Sequence, residues 1–314
     1  MPMRAVLYSK TNRQKKLVCQ EIEEPVPAAG EVLIRVEAVA LNAADYRMMR
    51  MGIAPKKKIF GADIAGRIES TGNNVQIFKP GDEVIADLSG CGFGGMAEYV
   101  AVPEKYIIRK PAGISFENAA ALPMASVTAL QALRNKGAIK NGQNVLIIGS
   151  GGGVGTFAVQ LAKYFGAKVT AVCGPENVEL ARSLGADKVI DYTKENFLEG
   201  QEPYDLILAA NGNYSLSACK RMLNKNGIYV LSGGALIQIF KTMAFGWFMS
   251  LGSKKIRFLA AKPEVKDLEF ILSLVANQKI TPVVDRVYLL EESADAFKYM
   301  GEGHAKGKVV LKVR

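Results

Sequence analysis

The stretch that most constrains this chain is residues 144–163, NVLIIGSGGGVGTFAVQLAK. Four apolar residues, Val145 to Ile148, halt at Gly149. Further glycines follow at Gly151, Gly152, Gly153 and Gly155, with Ser150 and Val154 between them, and then Phe157, Ala158, Leu161, Ala162 and Phe165 recur at helical spacing. The pattern predicts a buried strand, a tight turn and a helix. Glycines let a backbone bend sharply and approach a ligand with no Cβ in the way, and the free N–H groups at a helix start attract an anion. The pyrophosphate of a dinucleotide fits that description. The glycines run Gly149-x-x-Gly152-x-x-Gly155, because Val154 stands where G-x-G-x-x-G has its third glycine, so the downstream order has to carry the reading. Strands predicted over 168–173, 188–191, 204–209, 227–232 and 255–260 interleave with helices over 176–184 and 215–223. That alternation builds an α/β doubly wound parallel sheet with a ligand crevice at its carboxyl edge.

The first 120 residues read differently. Strands at 3–8 and 17–21 flank a polar turn at 10–14, and 31–41 alternates with Val32, Ile34, Val36, Ala38 and Ala40 on one face. Asn42 ends that strand, and a short helix is expected over 43–51. Further short strands follow at 61–71, around the Pro80-Gly81 turn, and at 96–103, with no βαβ alternation. Ser115 is an N-cap for a short helix that Pro123 interrupts, and a second helix is expected over 126–135. After the last sheet strand come a helix over 265–277, a strand over 283–288, a helix over 293–302 and a strand over 308–313.

A length of 314 residues suits two domains, and 49% hydrophobic with 22% charged residues is ordinary globular composition. Cys19, Cys91, Cys173 and Cys219 are scattered. They point to a reducing, cytoplasmic setting rather than a disulfide framework. The N-terminal residues lack the apolar core of a secretory signal. A formal charge of +10 invites thought of nucleic acid, but the basic clusters are short and lack interleaved aromatics, so a solvated face is expected and no nucleic-acid partner. Residues 235–251, ALIQIFKTMAFGWFMSL, are almost wholly apolar around Lys241. They fall short of the roughly 20 residues of a membrane span. Three readings stay open for them: a helix on the sheet, a cover over the active-site cleft, or a patch in peripheral contact with a membrane.

With these pieces in place, the chain resembles the medium-chain dehydrogenase/reductase superfamily, in its zinc-free quinone oxidoreductase-like branch. The resemblance rests on the glycine motif and its AVQLAK continuation, LNAADYR at 41–47, GADIAGRIESTG at 61–72, FKPGDEV at 78–84, SVTALQAL at 126–133, LGADKVIDY at 184–192 and the terminal HAKGKVVLKV. It implies a GroES-like, mostly β substrate domain from 1–123 and 263–314, and a Rossmann cofactor domain from 124–262. It also implies a homodimer through an edge strand. Zinc-dependent relatives have an early Cys and a Gly-His-Glu motif. Here those positions read Ala43, Ala44 or Asp45, and Gly61-Ala62-Asp63, and the one histidine of the chain is His304. Tetrahedral zinc needs several N or S ligands, so no metal is expected.

The resemblance implies hydride transfer to a quinone or an α,β-unsaturated carbonyl such as an enone or enal. Asn42 and Thr128 are candidates for positioning nicotinamide and carbonyl. Tyr46, beside Asp45, could hydrogen-bond the substrate or supply a proton. The alternative is that Asp45 and Tyr46 cap and pack the short helix. The cofactor set comprises the turn Gly149, Ser150, Gly151, Gly152, Gly153, Val154 and Gly155, with Cys173, Gly174, Tyr192, Asn211, Ser232, Gly233 and Lys306. Cys173-Gly174 ends the second strand without an acid to grip a ribose diol. This leans to NADPH, with NADH the alternative, because Pro175-Glu176-Asn177 stands where NADPH users place Lys or Arg. Enoyl-thioester reduction, or cofactor binding with little turnover, are the other functions weighed.

Overall fold

A computed structural model describes residues 1–11, 14–200 and 202–314. The centre of the turn expected at 10–14 lies outside the described residues. The chain divides into two compact units. One comprises Met1–Ala125, Pro263–Ala276 and Pro282–Arg314, and the other Ser126–Lys262 with Asn277–Thr281.

The first unit opens with β1 (Pro2–Thr11) and β2 (Gln14–Glu23), paired antiparallel. Then come β3 (Glu31–Ala40), helix α1 (Ala43–Met51), β4 (Asp63–Thr71), β5 (Glu83–Asp87), β6 (Tyr99–Pro103), β7 (Ile107–Arg109) and α2 (Phe116–Ala120). β3 is buried along most of its length and organises the sheet, pairing with both β4 and β6. The three-residue β7 was not expected; it is too short for period-2 alternation to show.

α3 (Pro123–Leu130) leads into the second unit. Pro123 starts this helix instead of interrupting it, as a residue with fixed φ and no N–H can do at a first helical position. Then follow β8 (Asn144–Ile148), α4 (Gly153–Tyr164), β9 (Lys168–Cys173), α5 (Val178–Ser183), β10 (Lys188–Asp191), β11 (Tyr204–Ala209), α6 (Leu216–Arg221), β12 (Leu223–Leu231), α7 (Leu236–Met249) and β13 (Lys255–Phe258). The strands form one parallel sheet in the order β10-β9-β8-β11-β12-β13. This is the doubly wound order of a dinucleotide fold, reversing direction between β8 and β11. The helix expected over 215–223 stops earlier because buried Leu223 pairs with Tyr204, so β12 begins there. The 176–184 helix starts later, after a 3₁₀ turn at Pro175–Asn177.

The chain closes in the first unit with α8 (Val265–Ala276), β14 (Val284–Leu289), α9 (Ser293–Glu302) and β15 (Lys308–Lys312). β15 pairs parallel with β14 and antiparallel with β3, so the C-terminal strand completes the sheet begun by the N-terminal half. Among the described residues no helix is long and apolar enough to cross a membrane.

Candidate functional site

The glycine turn sits at the switch point of the parallel sheet, directly after β8. Gly149 takes φ +81°, and a Cβ on it would lie 2.9 Å from the Asn211 side chain at the end of β11. A Cβ on Gly155 would lie 2.1 Å from the Gly149 carbonyl, so helix and turn pack too closely for any side chain. A Cβ on Gly151 would meet the Asn177 side chain at 2.4 Å. At Gly152, the N-cap of α4, nothing approaches nearer than 3.8 Å. That position is open space at a helix N-terminus. The first main-chain bond of α4 runs from Thr156 N–H to Gly152 O at 2.9 Å, which leaves the amides of Gly153, Val154 and Gly155 ahead of it. Ser150 does something other than face a ligand. It is fully buried, and its amide and hydroxyl both donate to Val172 O, at 3.0 and 3.1 Å, locking the turn onto β9.

At the end of β9, Cys173 is buried, and burial raises its thiol pKa, so it stays protonated. Its carbonyl accepts from Tyr192 N–H at 3.1 Å, which sets the exposed Tyr192 beside that strand end. An acid does reach this place. The Glu176 carboxylate folds back over Gly174, where a Cβ would lie 2.7 Å from its nearer oxygen, and it accepts from Asn177 Nδ2 at 3.2 Å. Asn177 itself is buried, and its Oδ1 has no hydrogen-bond partner. An orphaned acceptor against Gly151 and a carboxylate against Gly174 suit a ligand rich in hydroxyl donors, as a nucleotide ribose is. From the sequence, Glu176 and Asn177 stood out only as occupying the place of a Lys or Arg; their contact with Gly174 and Gly151 depends on the 3₁₀ turn that Pro175 begins. Ser232 and Gly233 follow β12. The Ser232 amide donates to Ala209 O at 3.0 Å and the Gly233 carbonyl accepts from Gly212 N–H at 3.1 Å, so both belong to the carboxyl edge of the sheet.

In the first unit, Asn42, Asp45 and Tyr46 lie at the start of α1. Asp45 is fully buried, and both its oxygens accept main-chain amides, from Asn42 at 3.0 Å and Gly61 at 3.1 Å. It caps the helix, the alternative weighed above. Burial raises its pKa to about 6 against the lowering effect of those two amides. The Asn42 side chain donates to Asp63 Oδ2 at 3.0 Å and accepts from Lys308 Nζ at 2.5 Å, while Lys308 Nζ also lies 3.2 Å from Asp63 Oδ2. Asp63 Oδ1 accepts the Met124 amide at 3.1 Å. Burial pushes Asp63 up to about 7, opposed chiefly by the Lys308 ammonium. The Tyr46 hydroxyl end lies over the backbone of α9, where a Cβ on Gly301 would be 2.4 Å from it. Lys306 lies on the turn before β15, exposed, its amide donating to Asp285 Oδ2 at 3.0 Å. Thr128 is buried on α3, in the second unit. His304 is exposed. Among the described residues no three His, Cys, Asp or Glu side chains group so as to hold a metal ion, and at 42–63 an ammonium stands among the acceptors.

Residues 28–112 match the alcohol dehydrogenase GroES-like domain, and residues 184–311 match the family described as zinc-binding dehydrogenase. A chloroplast envelope quinone oxidoreductase homolog of Arabidopsis thaliana is 34% identical over 93% of this chain and 92% of its own length. The chain belongs to the medium-chain dehydrogenase/reductase superfamily. Within this superfamily, an NADPH-dependent alkenal/one oxidoreductase of Arabidopsis thaliana is 34% identical over 95% of this chain and 75% of its own. The solved quinone oxidoreductase from Coxiella burnetii superposes with a TM-score of 0.89 at 28% identity, covering 100% of both chains. The quinone oxidoreductase-like branch of this superfamily is thus an oxidoreductase group to which both the fold and the sequence of this chain connect.

Proposed function

We propose that this chain passes a hydride from a reduced nicotinamide dinucleotide to a quinone or an α,β-unsaturated carbonyl, without catalytic zinc. The observation that carries the reading is the close-packed glycine turn at the sheet's switch point, which leaves Gly152 uncrowded at the N-cap of α4, ahead of the amides of Gly153 to Gly155. The bound dinucleotide supplies the reducing chemistry. The α4 amides hold its pyrophosphate, and Asn177 Oδ1 and the Glu176 carboxylate take up ribose hydroxyl donors. The first unit is the substrate domain in this reading. Tyr46, kept in place by Gly301, is the hydrogen-bond donor to the substrate oxygen, and Thr128 is a positioning residue. Asn42 and Asp45 act through structure: their polar atoms are engaged by Lys308, Asp63 and main-chain amides, so they shape the loop that presents Tyr46.

The zinc-free reading is supported by the ligand inventory. One exposed histidine and an ammonium beside Asp63 do not fit a tetrahedral N/S site. The relatives' reported chemistry supports the quinone and alkenal/one substrate class and, for one of them, NADPH. A second reading of the donor, NADH, is favoured by Glu176, whose charge at the end of β9 opposes a 2′-phosphate. Fluorescence titration with NADPH and NADH, then dinucleotide oxidation with quinones, enals and enoyl thioesters, tests the proposal. Binding of neither dinucleotide, or a stoichiometric zinc whose removal abolishes turnover, refutes it.

A further inference from the structure

α7 is an amphipathic helix turned inside out. Gln238, Thr242, Gly246 and Ser250, spaced four apart, form its inward stripe. Gln238 Nε2 donates to Tyr214 O at 2.7 Å, Thr242 Oγ1 to Gln238 O at 2.8 Å, and Ser250 Oγ accepts from Ile256 N–H at 2.8 Å, while a Cβ on Gly246 would rest 3.5 Å from Ile256 of β13. Polar and small residues therefore seat the helix on the sheet. Its outer surface carries Ile237, Phe240, Met243, Trp247 and Phe248, and Leu251 follows its C-terminal end, all exposed, with Trp247 at 76%. Exposing so many large apolar side chains on one helix is costly unless something covers them.

The charge around the helix says what. From Leu206 to Pro263 the chain has eight Lys or Arg and no Asp or Glu, against 40 basic and 30 acidic residues in the whole sequence. Lys241 projects from the helix itself. At its C-terminal end Lys254 donates to the carbonyls of Lys220 and Arg221 at 3.1 and 3.2 Å, and Lys255 to that of Ser250 at 3.0 Å, so the cations are fixed by neutral main-chain acceptors. A second copy seated symmetrically on this face would bring the same cations against themselves. An anionic surface with an apolar interior complements both features.

We propose that α7 is an interfacial anchor, laying its Phe and Trp side chains into the headgroup boundary of an anionic lipid bilayer while Lys241 and the Lys254–Lys255 pair meet the lipid charge. Trp247 is the one tryptophan of the chain and reports on this directly. The full-length protein is mixed with vesicles of phosphatidylcholine alone and of phosphatidylcholine with phosphatidylglycerol, and followed by tryptophan emission and co-sedimentation. Expected are a blue shift and sedimentation with the anionic vesicles, both reversed by high salt. Lys241→Gln weakens partitioning about fivefold. The double variant Phe240→Ser/Phe248→Ser weakens it by at least about tenfold at an unchanged melting temperature, since neither ring is packed in the core. Equal binding to both vesicle types, or no binding, overturns the proposal. So does a Trp247 that is already shielded from acrylamide without lipid, in a species of twice the chain mass, which would assign the face to a second copy. None of these readouts depends on dinucleotide chemistry.

Discussion

Replacing Lys308 with methionine removes the ammonium that faces Asp63 and Asn42 while keeping a long apolar stem in a buried place. Both Lys308 and Asp63 are almost fully buried, 3.2 Å apart. Breaking a buried pair by deleting one partner costs about 3–5 kcal/mol, a large share of a typical stability of about 5–15 kcal/mol. The cost depends on pH in a direction the structure fixes. Asp63 has a pKa of about 7 in the folded protein against 3.8 for the ordinary group. A raised folded pKa means that the native state holds the proton more tightly than the unfolded chain. Its contribution to stability is full below about pH 4 and is lost as pH rises through about 7. Lys308 lowers that pKa, so its loss pushes the carboxyl higher still. At about pH 5 Asp63 is protonated with or without Lys308, and the variant should lose only the hydrogen bonds to Asn42 and to the neutral Asp63 carboxyl, about 1–3 kcal/mol. At about pH 8.5 the full penalty of about 3–5 kcal/mol returns. Hydrogen exchange of the β3 and β4 amides measures the difference within this unit. Adding Asp63→Asn, which keeps an oxygen for the Met124 amide, should abolish the pH dependence. A penalty equal at both pH values, or below about 1 kcal/mol at the higher one, refutes the account of a charged buried pair.

Glu176→Gln removes the charge over Gly174 and should improve NADPH affinity relative to NADH by about tenfold, read by fluorescence titration; an unchanged ratio would show that the carboxylate plays no part in choosing the dinucleotide. Gly155→Ala forces a methyl to within 2.1 Å of the Gly149 carbonyl and should destabilise the second unit by about 2–4 kcal/mol in denaturant titration. Gly152→Ala, with nothing nearer than 3.8 Å, should leave stability within about 1 kcal/mol and lower dinucleotide affinity by filling that open space; equal effects of the two alanines on stability would contradict the close-packing argument. Gly301→Ala gains up to about 1 kcal/mol in helix propensity but drives a methyl into the Tyr46 ring, so kcat should fall while dinucleotide affinity holds; unaltered kcat would remove Tyr46 from the chemistry.

What could be read from the residues alone was whatever depends on short-range geometry. The run from Val145 to Gly155 specifies strand, turn and helix because each requirement is local: an apolar run, missing Cβ atoms, helical spacing. That the five later strands join it in one parallel sheet then follows from their alternation with helices, while their order is seen only in the structure. The same locality explains the misplacements. Pro123 is compatible with both a helix break and a helix start, and only the packing on either side selects the start. Leu223 carries no sign that it pairs with Tyr204. The Asn42, Asp63 and Lys308 side chains of the first unit are harder still, because they lie 21 to 266 positions apart in the chain. Asn42 and Asp45 attract attention as functional groups because they are polar residues at the end of a buried strand. That is also where a helix needs a cap and where a buried cation needs acceptors. Asp63 is the one charge within GADIAG, and Lys308 heads the apolar run Val309 to Leu311; both are buried. A charge placed where water is excluded demands a counter-charge, so two such positions in one domain are best paired with each other before either is assigned to chemistry. Applied to the start of α1, that rule gives Asn42 to the buried ion pair and Asp45 to the helix cap, and leaves Tyr46, whose hydroxyl end lies over Gly301, for the chemistry.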